Sequence, residues 1–212
     1  MFLNYGCTHS IEPNGQLKYA DSYETSFYNA YLGSFNTFDQ IENNVCFSGE
    51  TIEAMPYDSY SPLTKGSRGV GIGGKKTFSD GSYYGCCASI ASAGVGMFHE
   101  IQTLKTESSI VINLFEKGSV ALKTPSENPI KTDFDTNYPK DGNVKITLSM
   151  DKAETFDILI RNPYWSKNTE VLSSGAIQNE KDGYILLSKS RKDNDEIEIR
   201  FDMSTYVIPA PV

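Results

Sequence analysis

The feature that most constrains this chain is a succession of short strand-like segments filling its second half. Ser109-Ile110-Val111-Ile112-Asn113-Leu114-Phe115 is a β-branched run. Gly118-Ser119 turns into Val120-Ala121-Leu122-Lys123-Thr124, and Lys131 to Thr136 alternates weakly. Asp141-Gly142 is a strong turn signal. Val144-Lys145-Ile146-Thr147-Leu148-Ser149-Met150 then alternates apolar and polar, as a half-buried strand does. Phe156 to Arg161 continues the pattern, and Asn162-Pro163 stops it. Thr169 to Leu172, Tyr184 to Leu187 and Ile197 to Phe201 complete the series. About eight strands at spacings of roughly 8–12 residues predict an antiparallel β-sandwich. Nothing from 106 to 212 predicts a helix.

The first half reads differently. From Leu17 to Phe35, apolar or aromatic residues recur at Leu17, Tyr19, Ala20, Tyr23, Phe27, Tyr28, Tyr31 and Leu32. Spacings of three and four place them on one helical face. Residues 36–83 lack a clear period, and Gly66 to Lys76 is rich in Gly and Lys, which predicts a long loop. Ala88 to Thr103 is rich in small residues and predicts a second helix, with Gly94 and Gly96 as points of close packing. Two helices cannot bury their faces alone, so the pattern suggests a piece of a larger fold.

Composition closes off several classes of function. The chain has 212 residues, a net charge of -8, 39% hydrophobic and 22% charged residues. That apolar content supports a core, so disorder is not the default. The acidic balance argues against nucleic acid or an anionic membrane as partner, because phosphate neutralisation needs clustered Lys and Arg. No apolar run approaches the roughly 20 residues of a spanning helix. Met1-Phe2-Leu3-Asn4-Tyr5 shows no basic region followed by an apolar stretch, so no export signal is read and the default compartment is the cytoplasm. Four cysteines are too sparse for a small disulfide scaffold.

The most specific chemical feature is the adjacent pair Cys86-Cys87, which follows Ser82-Tyr83-Tyr84-Gly85 and is placed to open a helix. A thiol at a helix N-terminus feels the positive end of the dipole, which favours thiolate. Thiolates are nucleophiles and zinc ligands. The plainer alternative is a pair of small buried apolar residues. Cys7 and Cys46 stand alone. Gly71-Ile72-Gly73-Gly74-Lys75-Lys76 matches neither a P-loop nor a dinucleotide fingerprint. His9 and His99 show no zinc spacing and no triad partner. Glu24, Glu42, Glu50, Glu53 and Glu100 are carboxylate candidates by position only. Trp165 suits packing better than a sugar platform.

Four segments, in order, resemble a known family. Tyr83-Tyr84-Gly85-Cys86-Cys87-Ala88-Ser89-Ile90-Ala91-Ser92-Ala93-Gly94 is similar to the double-cysteine motif of glycoside hydrolase family 127, the β-L-arabinofuranosidases. Leu17-Lys18-Tyr19-Ala20-Asp21-Ser22-Tyr23-Glu24, with Tyr28-Asn29, resembles the family's Tyr-Ala-Asp helix. Ile112-Asn113-Leu114-Phe115 resembles its Val-Asn-Leu-Tyr strand, and Arg161-Asn162-Pro163-Tyr164-Trp165-Ser166 its Arg-Ile-Pro-x-Trp-Ser strand end.

The resemblance implies a mixed α and β fold: the C-terminal end of an (α/α)6 barrel over residues 1–105, then an antiparallel β-sandwich over 106–212. It implies a retaining exo-glycosidase that removes terminal L-arabinofuranose from a glycan or oligosaccharide. Cys86 matches the nucleophile. Zinc, held in the family by three cysteines and a glutamate, would be met here by Cys86 and Cys87. A separate glutamate serves as acid and then base. The family's Glu-x-Cys ligand segment lies further upstream of the Tyr-Ala-Asp helix than Cys7 does, and Tyr5 stands where its acid would be. The resemblance therefore predicts a chain short of its upstream zinc ligands and acid/base, truncated at both ends, with little or no turnover by itself. The rest of the barrel, or a second copy, is the expected protein partner. The rival reading is a non-catalytic carbohydrate-binding or scaffold module.

Overall fold

A computed structural model describes residues 17–33, 51–53, 75–77, 83–84 and 86–207. The chain divides into two compact units. One comprises Met1–Phe2 and Ser22–Phe98, the other Leu3–Asp21 and His99–Val212.

Helix α1 spans Leu17–Ser26 and runs into a π-helical turn, Phe27–Tyr31. Strands β1 (Thr51–Glu53), β2 (Lys75–Thr77) and β3 (Tyr83–Tyr84) form a small antiparallel sheet. Lys75 and Lys76 thus belong to a strand rather than to the long loop that their Gly-rich surroundings suggest. Helix α2 follows, Cys86–Gln102. In the first unit, α1 and α2 share an aromatic cluster. Phe27 lies 4.9 Å from Tyr31 and 4.6 Å from Phe98, and Tyr23 lies 6.3 Å from Phe98. Gly94 allows this approach: a β-carbon there would press on the Tyr31 ring, and the Tyr23 hydroxyl donates to the Gly94 carbonyl at 3.1 Å. Gly96 faces open space, so only the first of the two expected packing glycines serves that purpose.

The second unit holds two five-stranded sheets. Its strands are β4 (Thr103–Lys105), β5 (Ser109–Ile112), β6 (Gly118–Lys123), β7 (Pro129–Thr136), β8 (Asn143–Met150), β9 (Glu154–Arg161), β10 (Glu170–Leu172), β11 (Ile177–Lys181), β12 (Tyr184–Arg191) and β13 (Asp195–Arg200). The sheet orders are β10-β13-β8-β7-β6 and β11-β12-β9-β5-β4. Alternation decides which face is buried. Val144, Ile146, Leu148 and Met150 of β8 turn inward, opposite Thr136, Phe134, Thr132 and Ile130 of β7. Ile158 and Ile160 of β9 pair with Leu187 and Ile185 of β12 and with Ile110 and Ile112 of β5. The outer face of the first sheet carries solvated pairs such as Lys117–Asp135 and Lys145–Glu196, which contribute little to stability.

The sandwich is antiparallel-rich rather than purely antiparallel, since β5 runs parallel to β9. That pairing follows from connectivity: the chain leaves β5 for the other sheet and returns on β9 after β6, β7 and β8. At one end, Phe115, Tyr138, Trp165 and Phe201 form an aromatic cluster, with Trp165 stacked 6.2 Å from Tyr138 and edge-on 5.6 Å from Phe201. Trp165 is a packing residue. Among the described residues no helix is long and apolar enough to cross a membrane.

Candidate active site

Cys86 and Cys87 occupy the first two positions of α2, directly after β3 and Gly85. The expected strand–glycine–helix placement is therefore observed in the backbone. The first turn of a helix presents amide groups without intrahelical partners, and the dipole there favours a negative charge. Helix α2 has no acidic residue in its first turn to compete for that field. Thiolates are donors of the kind zinc takes, and a closed structural zinc site takes four ligands. No group of three or more His, Cys, Asp or Glu among the described residues could hold a metal ion. Cys7, Cys46, His9, Glu42 and Glu50 lie outside the described residues, as does the segment 66–74. His99 and Glu100 are exposed on α2, and Glu24 is buried in α1.

The other motif residues meet elsewhere, in the second unit. Arg161, at the end of β9, is wholly buried on the outer face of its sheet. Its Nη1 donates to Asp21 Oδ1 at 2.5 Å and its Nε to the Asn113 carbonyl at 2.5 Å. The guanidinium lies 5.5 Å from the centre of the Phe115 ring. The Asn113 side chain receives the Tyr184 hydroxyl at 2.8 Å and donates to the Ile101 carbonyl at 3.1 Å. The main-chain N–H of Asn113 caps the Gln102 carbonyl at 2.9 Å, and the Gln102 side chain donates to the Glu116 carbonyl at 3.0 Å. So the last carbonyls of α2, orphaned by the helix end, are satisfied by Asn113, directly after β5. Burial pushes the Tyr184 hydroxyl pKa up to about 12; the Arg161 charge opposes the rise and the Asp21 charge adds to it.

Residues from three of the four family-like segments, Asp21, Asn113 and Arg161, thus form one buried polar network. Sequence reading missed their convergence. The available signal was that Asn113 and Arg161 each adjoin an apolar run, where a polar side chain needs a partner. These bonds tie α1, β9, β12 and the segment after β5 together within the second unit. The start of α1 fits closely beside it. Asp182 and Gly183 have φ of 50° and 80°, the geometry of a two-residue hairpin turn. A β-carbon on Gly183 would collide with the Leu17 side chain.

Comparison with known proteins places these features. Residues 109–203 match the family model described as beta-L-arabinofuranosidase, GH127 middle domain. No curated protein matches the chain. Among solved structures, a GH127 beta-L-arabinofuranosidase from Geobacillus stearothermophilus T6 is similar over 97% of this chain, with a TM-score of 0.68 and 21% identity. A GH127 beta-arabinofuranosidase is similar over 90%, with a TM-score of 0.62 and 17% identity. A protein described as a glycoside hydrolase is similar over 93%, with a TM-score of 0.62 and 18% identity. This chain spans 31%, 29% and 31% of their respective lengths. At such identities the structural likeness speaks for the fold, and the matched segment speaks for the family. The β-sandwich of this chain is thus similar to the GH127 middle domain, and its fold is similar to that of GH127 beta-L-arabinofuranosidases.

Proposed function

We propose that this chain contributes the cysteine pair and the adjoining sandwich to a retaining exo-glycosidase acting on terminal β-L-arabinofuranosides. The observation that carries the reading is the placement of Cys86 and Cys87 at the start of α2, in a chain whose sandwich matches the GH127 middle domain. In the proposed reaction the Cys86 thiolate attacks the anomeric carbon. A C–S bond forms as the C–O bond to the aglycone breaks, and the leaving oxygen takes a proton from a carboxylic acid. Water, deprotonated by the same carboxylate, then displaces the thiolate. Two inversions give net retention.

Cys86 and Cys87 are also this chain's proposed contribution to a zinc site. Zinc, when bound, would hold the thiols deprotonated. With no further described ligand and no assigned acid/base, the chain alone is expected to give little or no hydrolysis of a chromogenic β-L-arabinofuranoside. Restoring the upstream region of a family enzyme in the same polypeptide should bring turnover that Cys86→Ala abolishes. Undiminished turnover in Cys86→Ala would overturn the nucleophile assignment. Robust turnover by the 212-residue chain alone would overturn the expectation that its own residues do not suffice for hydrolysis. Saturable glycan binding without turnover in the extended polypeptide, unchanged by Cys86→Ala, would instead support the binding-module reading.

A further inference from the structure

Strand β11, Ile177–Lys181, is the free edge of the second sheet, and all five of its residues are exposed. Among the described residues it pairs only with β12, through a hairpin whose turn residues are Asp182 and Gly183. A two-residue hairpin turn makes its flanking pair, here Lys181 and Tyr184, a mutually hydrogen-bonded one. Antiparallel ladders alternate, so Lys181, Asn179 and Ile177 bond inward to β12. The main-chain groups of Gln178 and Glu180 then face outward. No described residue outside β12 is hydrogen-bonded to β11. The other sheet has a neighbouring free edge in β10, where Leu172 is 58% exposed; on β11, Ile177 is 68% exposed. Two large apolar side chains therefore sit in water on the edge strands.

We propose that β11 is a self-pairing edge, joining a second copy of this chain across a two-fold axis at Asn179. The register follows from the hydrogen-bond alternation. Only residues with outward main-chain groups can bond across the seam, so Gln178 must face Glu180 of the second copy, and Glu180 its Gln178. That register forms two mutually bonded pairs and leaves Asn179 facing its own equivalent. The side chains agree with it. Each Glu180 carboxylate meets a Gln178 amide that can donate to it, and each Lys181 stem lies across Ile177. No like charges stand directly opposite, a juxtaposition that would oppose pairing. An isologous contact of this kind closes on itself and gives a dimer rather than a fibre. The seam is short, so the association is weak and concentration-dependent, in the class of strand-addition contacts.

Sedimentation equilibrium of the chain, from about 10 μM to about 1 mM, tests this; such a range spans weak affinities. A reversible monomer–dimer equilibrium is expected. Gln178→Pro deletes an outward N–H while sparing the inward ladder, as an edge position tolerates. It should weaken dimerisation at least ~10-fold with unchanged far-ultraviolet dichroism, the expected scale for losing one arm of each bonded pair. Ile177→Lys brings two lysines face to face on each side of the axis and should weaken it as well. A chain that stays monomeric throughout would overturn the proposal. So would a dimer unaffected by both substitutions, which would place the contact on another surface.

Discussion

The second sheet of the sandwich buries two arginines completely, at opposite ends and on opposite faces, and they are treated differently. Arg161 meets a carboxylate, a carbonyl and an aromatic ring, and its carboxylate partner comes from α1. Arg191 lies on the inner face, where its Nη2 donates to the Leu187 carbonyl at 2.8 Å and its Nη1 to the Ser173 hydroxyl at 3.3 Å. Its Nε has no hydrogen-bond partner. Burial pushes the Arg191 pKa below its ordinary value, and the charges of Asp195 and Asp157 push it back. Two equally buried cations therefore have different worth. Arg161 is specific: the Asp21 carboxylate and the Asn113 carbonyl meet its charge. Arg191 rests on neutral acceptors and fills space at the end of the core. A buried charge contributes to a fold when its partners come from elements that must be brought together, and much less when they are local.

The largest expected effect is on the paired side. Arg161→Met removes one partner of a buried ion pair, which should cost about 3–5 kcal/mol of unfolding free energy in urea titrations. Asn113→Ala comes next. It orphans the Tyr184 hydroxyl and the Ile101 carbonyl, and the expected loss is about 2–4 kcal/mol by the same titration, at about 1–2 per unsatisfied group.

Tyr184 gives a pH signature. Its folded pKa, about 12, lies above the ordinary tyrosine value of 10.0, so the unfolded chain ionises first. Its contribution is fully present below about pH 10 and is lost as pH rises towards 12; two units amount to about 2–3 kcal/mol. Tyr184→Phe should flatten that alkaline decline while costing about 1 kcal/mol at neutral pH for the lost hydrogen bond. An unchanged alkaline slope would show that the hydroxyl is not buried as described. The smallest effect is expected on the unpaired side. Arg191→Met, an apolar replacement of similar length, should change stability by less than about 1 kcal/mol in either direction. A large loss there would erase the contrast.

How far the sequence revealed this molecule depends on the element. Strands with one wet and one dry face were legible, because β8 and β13 write the alternation directly into Val144–Met150 and Asp195–Arg200. Strand β11 was not legible: Ile177-Gln178-Asn179-Glu180-Lys181 is exposed on both faces and has no burial to imprint a period. Strand β4 follows α2 without a break and is only three residues long, so its first residue, Thr103, read as the helix end. The parallel neighbour relation of β5 and β9 is topological and leaves no local trace. The start of α2 at Cys86 was readable from Gly85 and the small residues that follow. The Asp21–Arg161 pair was not, because 140 positions separate its members. The segments that mark the family therefore divide into two kinds. The cysteine pair carries the proposed chemistry, while Asp21, Asn113 and Arg161 hold the start of α1 and the end of α2 against the sandwich.

That division is tested most directly by equilibrium unfolding of Arg161→Met beside Arg191→Met, followed through Trp165, the chain's single tryptophan. It reports from the cluster of Tyr138 and Phe201. The account predicts that the midpoint of Arg161→Met falls far below that of the unsubstituted chain while Arg191→Met stays close to it. Equal shifts, or a larger one for Arg191→Met, would contradict it.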